Sequence, residues 1–230
     1  MKPIDQYLET LSPAEQERLQ YFLHDLQLCK PTGDRFRFLD MGAGSGTMSI
    51  GVLLMFEKAE GTLVDIQDRF AIPDTISGSF SARYRFVSWK SLAEIREDKF
   101  DLVISTDVME HIPKWTESLQ NLCNYLAVGG YLYIQVPSNY PSPNYPRIKV
   151  LKQRLLGFLG KNDPNQHVRH GLSCKRIYDA ATKIGLKPIR ASEDYVVSSK
   201  VYCDFKPRCH CLFQKQERLG SNKPDAHDAL

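Results

Sequence analysis

The sequence predicts an α/β protein with a parallel sheet covered by helices. Three observations carry this expectation. From residue 36 onward, short apolar runs alternate with helical stretches. The runs are nearly continuous in apolar residues, as strands buried on both faces must be. One strand–helix junction is a glycine-rich turn, in the segment FLDMGAGSGTMSI at 38–50. Alternation of this kind closes into a parallel sheet through right-handed crossovers.

In chain order, Ser12-Pro13-Ala14-Glu15 fits a helix start. The Ser12 hydroxyl accepts from the Glu15 amide, and proline suits the first helical position. Leu19, Phe22, Leu23 and Leu26 then form one apolar stripe that ends at Pro31-Thr32-Gly33. The helix reads as packed on the following domain, with a lid over the site as its second possible use. Strands are expected at 37–41, 61–66, 84–88, 100–105 and 131–136, and helices at 45–57, 68–76, 90–97 and 114–127. After Val136 four prolines make a stiff connection, followed by a helix at 147–159 with Ile148, Leu151, Leu155 and Leu159 on one face. A helix from Ser173 to about Ile184 stops at Gly185, and 187–193 and 208–214 are the last strands. Disorder is expected for 216–230, which carries no aromatic residue.

The 230 residues are 42% hydrophobic, enough for one domain with a sizeable core, and wholesale disorder is excluded. Lys+Arg 30 against Asp+Glu 27 gives +3, too balanced to imply nucleic acid. No apolar stretch approaches the ~18–20 residues of a membrane span. Acids stand early in the chain, where a signal peptide would be apolar, so a cytoplasmic protein is expected. Six scattered cysteines then read as reduced thiols. Cys209-His210-Cys211 alternates as a strand does, so both thiols face one side and pack there. With Cys203 nearby they resemble a metal cluster only superficially, and no metal site is assigned.

The glycine turn is the strongest functional signal. Asp40 ends an apolar strand, Gly42, Gly44 and Gly46 follow, and a helix begins near Ser45. Such a turn exposes bare backbone, and the helix start aims free N–H groups at a ligand. A dinucleotide loop would place its third glycine one residue later, and a P-loop would need Gly-Lys-Ser/Thr. Asp40 would repel a pyrophosphate and welcome an ammonium.

The segment resembles motif I of the class I S-adenosylmethionine-dependent methyltransferases, acid-x-Gly-x-Gly-x-Gly. Three further segments are similar in order: the strand ending at Asp65, KFDLVISTDVMEHIP at 99–113, and LAVGGYLYIQVPS at 126–138. The resemblance implies a doubly wound, seven-stranded, mostly parallel sheet with an antiparallel C-terminal hairpin. It divides the chain into an N-terminal helical segment at 1–33 and a methyltransferase domain at 34–215, with 137–170 as a substrate cap. S-adenosylmethionine would be held by Asp40, Gly42, Gly44, Gly46, Asp65 and Ile66, with Ser88, Trp89, Ser105 and Thr106 as weaker contacts, and S-adenosylhomocysteine would be the product. Asp65 would accept the ribose hydroxyls. The family usually carries an acid after the third strand, where this chain reads Val87-Ser88-Trp89-Lys90. Ser88 and Trp89 would take over at the adenine.

The implied activity is methyl transfer to O or N of a small-molecule acceptor in a biosynthetic pathway. His111, in the loop after the fourth strand, is the first candidate to take a proton from the nucleophile, and a structural role in that loop is its rival. His167 and His170 lie where the resemblance puts the site mouth and are further catalytic candidates. Asp107, Glu110 and His111 resemble the Glu-x-x-Glu-His arrangement of ubiquinone-biosynthesis O-methyltransferases, proposed to hold a divalent metal. Glu110 capping the following helix or pairing with a cation is the preferred role. No acid occurs between Ser118 and Asn162; a solvated cap helix with ordinary lysines is the preferred reading, a positive rim favouring an anionic acceptor the second, and contact of the 147–159 helix with anionic lipid a weaker one. The rivals to methyl transfer are a nicotinamide-dependent oxidoreductase and a non-catalytic cofactor-binding regulator.

Overall fold

The computed structural model describes residues 2–31, 33–74, 76, 83–137, 172, 174–197 and 205–217. Two helices lead. α1 (Pro3–Thr10) carries proline in its first turn and Asp5 bonded back to the Lys2 amide. α2 (Pro13–Leu26) begins at the expected box: Ser12 Oγ accepts from Glu15 N, and Ser12 N donates to the Glu15 carboxylate at 3.1 Å. The alternation then runs β1 (Phe36–Met41), α3 (Thr47–Met55), β2 (Ala59–Asp65), β3 (Tyr84–Ser88), a 3-10 segment (Trp89–Ile95), β4 (Phe100–Thr106), a 3-10 turn (Met109–His111), α4 (Trp115–Tyr125) and β5 (Leu126–Pro137). α5 (Cys174–Lys183), β6 (Leu186–Val197) and β7 (Phe205–Lys215) complete it.

The seven strands form one sheet in the order β3-β2-β1-β4-β5-β7-β6. Both β7 pairings are antiparallel and all others parallel. The chain winds outward from β1 to β3 and returns to β4 on the other side of β1. The crevice at the carboxyl ends of β1 and β4 is therefore the switch point where such sheets bind ligands.

Each strand divides its residues between two cores, because successive side chains point to opposite faces. Phe38, Tyr133 and Leu212 join α2 and α3 through Leu19, Phe22, Ile50 and Leu53 on one face. Leu39, Leu132 and Phe213 join Trp115, Leu119 and Ile177 on the other. Among the described residues no helix is long and apolar enough to cross a membrane.

Three expectations need correction. No helix spans 68–76: Pro73 denies it an amide donor, and only a short 3-10 turn forms near Asp74 and Ile76. The 90–97 helix is a 3-10 segment kinked at Ser91. The cysteines are not all reduced, since Cys174 is disulfide-bonded to Cys209. Cys209 and Cys211 do face one side, as alternation requires, and the first residue of α5 lies over them. The helix at 147–159, His167, His170 and Cys203 lie outside the described residues.

Phe22 is 1% exposed and meets Tyr133 edge-on, with ring centroids 4.8 Å apart. Phe22→Ala is expected to cost about 3–5 kcal/mol, read as a lower urea midpoint at unchanged slope.

Candidate functional site

A cavity of about 790 Å³ opens over the carboxyl ends of β1, β2 and β4. Its floor is the glycine turn. The Gly42 and Ala43 amides donate to the Val64 carbonyl at 2.8 and 3.1 Å, which ties the turn to β2. Gly42 and Gly46 have φ of 82° and 81°, and a Cβ there would overlap Val108 and the Phe70 ring respectively. Gly44, at φ 56°, differs: a Cβ would meet nothing within 4 Å, so its open face is free for a ligand. α3 starts directly after Gly46, and its first N–H groups have no intrahelical acceptor. Thr47 and Met48, in that first turn, line the cavity.

Asp65 closes the next side. Its carboxylate accepts from Gly44 N at 2.8 Å and Ile66 N at 2.6 Å, with Arg69 3.7 Å away. Ile66 and the 40% exposed Trp89 also line the cavity. Ser88 does not line it; its hydroxyl caps the 3-10 segment by accepting from Lys90 N. Asp40 also stands behind the wall. It is 1% exposed, and its Oδ2 accepts the Ser49 hydroxyl at 2.7 Å, fixing α3 to the end of β1. Burial, with repulsion from Asp65, pushes its carboxyl up to about 7 despite the Ser49 bond.

Beyond β4, Thr106, Asp107 and His111 line the opposite wall. Ser105 faces away from the cavity, into a second one of about 730 Å³ on the far side of the 106–112 loop. Asp107 has a φ of 55°, the left-handed region that non-glycine residues rarely occupy. Its two oxygens meet Arg18 Nη2 at 2.7 Å and Arg208 Nη1 at 2.6 Å. Arg18 comes from α2 and also donates through Nε to Gln135 Oε1 at 3.1 Å. Gln135 continues inward, its Nε2 3.0 Å from His210 Nδ1, a nitrogen that also lies 3.1 Å from the Tyr133 hydroxyl.

Glu110 points inward and is 1% exposed, and its carboxyl oxygens have no hydrogen-bond partner among the described residues. Burial, reinforced by Asp107, pushes it up to about 8, so it holds its proton at neutral pH. It therefore neither caps α4 nor pairs directly with a cation. A metal at Asp107, Glu110 and His111 finds little support in this geometry, with Asp107 held by two guanidiniums and Glu110 turned away. Among the described residues the group whose ligand atoms all lie within 4.8 Å of one another is Cys174, Cys209 and Cys211, two of which are bonded to each other.

Of the residues singled out from sequence, the structure brings Gly42, Gly44, Asp65, Ile66, Trp89, Thr106 and His111 to one cavity. Asp40, Gly46, Ser88 and Ser105 stand outside its wall. Arg18, Arg69 and Arg208 escaped notice. Arg18 had one visible hint, a cation beside the apolar stripe of a helix with a possible second use as a lid.

Comparison with protein families matches residues 5–191 to the family described as Methyltransferase domain. The chain belongs to that family. Its curated relatives include trans-aconitate 2-methyltransferase of Mycobacterium sp. (strain KMS), 26% identical over 122 residues, covering 51% of this chain and 44% of the relative. The ubiquinone biosynthesis O-methyltransferase of Xanthomonas euvesicatoria pv. vesicatoria (strain 85-10) is 26% identical over 138 residues, covering 59% and 54%. The chain thus spans about half the length of the curated relatives it matches. Among solved structures, phosphoethanolamine N-methyltransferase 2 of Haemonchus contortus, in complex with S-adenosyl-L-methionine, shares the fold at a TM-score of 0.60 and 15% identity, covering 86% of this chain and 53% of the other.

The buried Glu110 gives a pH signature. A carboxyl whose folded pKa lies above its unfolded value stabilises fully below the unfolded pKa and loses that contribution as pH rises through the folded one. Wild-type melting temperature is expected to fall between about pH 5 and 9, with Asp40 acting in the same direction. Glu110→Gln should flatten that fall in calorimetric scans, and an unchanged slope would show that Glu110 is ionised in the folded protein.

Proposed function

We propose that the protein transfers a methyl group from S-adenosylmethionine to an oxygen or nitrogen of a small-molecule acceptor. The observation that carries this reading is the cradle at the switch point: the open face of Gly44, bare peptide around it and the Asp65 carboxylate, all on one cavity wall. A nucleoside suits this wall, since a carboxylate accepts hydroxyl hydrogens and Trp89 offers a ring face at the strand end. Gly42, Gly44, Asp65, Ile66, Trp89 and Thr106 would hold the cofactor. Asp40 and Gly46 support the turn from behind, and Ser88 and Ser105 are left without direct contact.

The cofactor supplies an already activated methyl on sulfonium, so the protein has mainly to align the nucleophile and keep water out. His111 lines the wall opposite the cradle, and in this reading it would accept the proton that the acceptor's hydroxyl or amine gives up. The small-molecule assignment rests on the relatives, one named for trans-aconitate and another for ubiquinone biosynthesis. We assign the domain to residues 34–215, with α2 completing the cavity from outside it.

The early third glycine separates this reading from a nicotinamide-dependent oxidoreductase. S-adenosylmethionine or S-adenosylhomocysteine should raise the melting temperature and NAD should not; the reverse pattern would sink the proposal. Asp65→Ala is expected to weaken S-adenosylhomocysteine binding about 10–100-fold in calorimetry, roughly 1.4–3 kcal/mol for a charge-assisted contact.

A further inference from the structure

We infer that the acceptor carries a carboxylate, received by Arg18, and that Arg208 is the positioning residue that keeps the Arg18 charge available. This deepens the methyl-transfer reading and rests on it.

Two guanidiniums share one carboxylate, Asp107, yet only 21% of the Arg18 side chain and 17% of the Arg208 side chain are exposed. Glu110 lies close enough to feel all three charges but is protonated at neutral pH and adds no anion. Glu15 also lines the cavity; its carboxylate holds the Ser12 hydroxyl and amide through one oxygen, and its charge reaches Arg18 as well. Arg18 is moreover a group that burial has partly stripped of water: desolvation is the largest effect on it and lowers its pKa. A cation withdrawn from water calls for a counter-charge.

The donors tell the same story. Arg18 spends Nη2 on Asp107 and Nε on Gln135, and its Nη1 has no hydrogen-bond partner among the described residues. Arg18 lines the cavity on the side of Asp107 and His111. The remaining Nη1 can donate a charge-assisted hydrogen bond to an oxygen of an incoming carboxylate.

Arg208 has a different part. It draws on the second oxygen of Asp107, so that carboxylate is shared and cannot by itself neutralise Arg18. The left-handed backbone of Asp107 fits such a clamp, since conformations of that kind persist where surrounding contacts over-determine them and cluster at ligand sites. Without Arg208, Asp107 would satisfy Arg18 alone and the incoming anion would meet a neutral pair.

The test uses the full chain. A metabolite extract is separated by anion exchange at pH 7 before incubation with protein and methyl-labelled S-adenosylmethionine, and each fraction is assayed for acceptor activity. Activity is expected in the retained fraction; activity confined to the flow-through overturns the inference. With the retained acceptor, Arg18→Gln should raise KM at least about tenfold, the range of a lost charged hydrogen bond, while the S-adenosylhomocysteine Kd stays within about threefold of wild type. That binding also shows that the variant folds. Arg208→Gln should raise KM more than it lowers kcat, and Arg208→Lys should restore much of the loss. If Arg18→Gln weakens S-adenosylhomocysteine as much as the acceptor, the arginine serves the cofactor and the inference fails. Failure of the wild-type protein to bind S-adenosylhomocysteine would instead sink the methyl-transfer reading beneath it.

Discussion

Asp107 joins parts of the chain that are far apart in sequence. Arg18 reaches it from the second helix and Arg208 from the last strand, across 101 residues in the latter case. Its amide donates to the Gln135 carbonyl at 2.9 Å, so β5 is bound into the same knot. A non-glycine residue in this backbone region costs on the order of 1–3 kcal/mol and persists only where contacts compensate. Here the two guanidiniums do so, and in return the strained turn sets the direction of the cavity wall. α2, the end of β4 and β7 all meet at this one carboxylate.

The alternation of β7 shows how one strand serves two ends. Arg208 bonds Asp107 and His210 meets Gln135 and Tyr133, while Cys209 and Cys211 enter the opposite core. The Cys174–Cys209 bond lies in that opposite core, and Cys209 stands opposite Val136 in register. The end of β5 and the start of α5 are thus drawn together. A strand slipped by one residue would exchange these faces, placing thiols at Asp107 and a guanidinium among Trp115 and Ile177.

Much of the scaffold was legible because its signals are local. Continuous apolar runs gave the strands, and the Ser12–Glu15 box and the glycine turn marked helix starts. The cradle was legible for the same reason, since Gly42, Gly44 and Asp65 sit at strand ends whose order the alternation already implies. Failures arose where tertiary partners decide. Nothing near Arg18 announces a partner at 107, and nothing near Cys174 announces one at 209. Asp40 was read as a ligand for the cofactor ammonium from its place before the glycines, but burial turned it toward Ser49. The 68–76 segment carried weak periodicity that Pro73 overrode.

The electrostatics of the site follow from placing two carboxyls near each other in a partly dry wall. Both cannot ionise cheaply, so the one with cationic partners takes the charge and the other keeps its proton. Asp107 has two guanidiniums; Glu110 is buried with neither in hydrogen-bond contact. Glu15, on the same wall, supplies a further anion within reach of Arg18. Burial of one glutamate beneath the cavity thus leaves Asp107 as the acid that both arginines share, although that glutamate does not line the cavity.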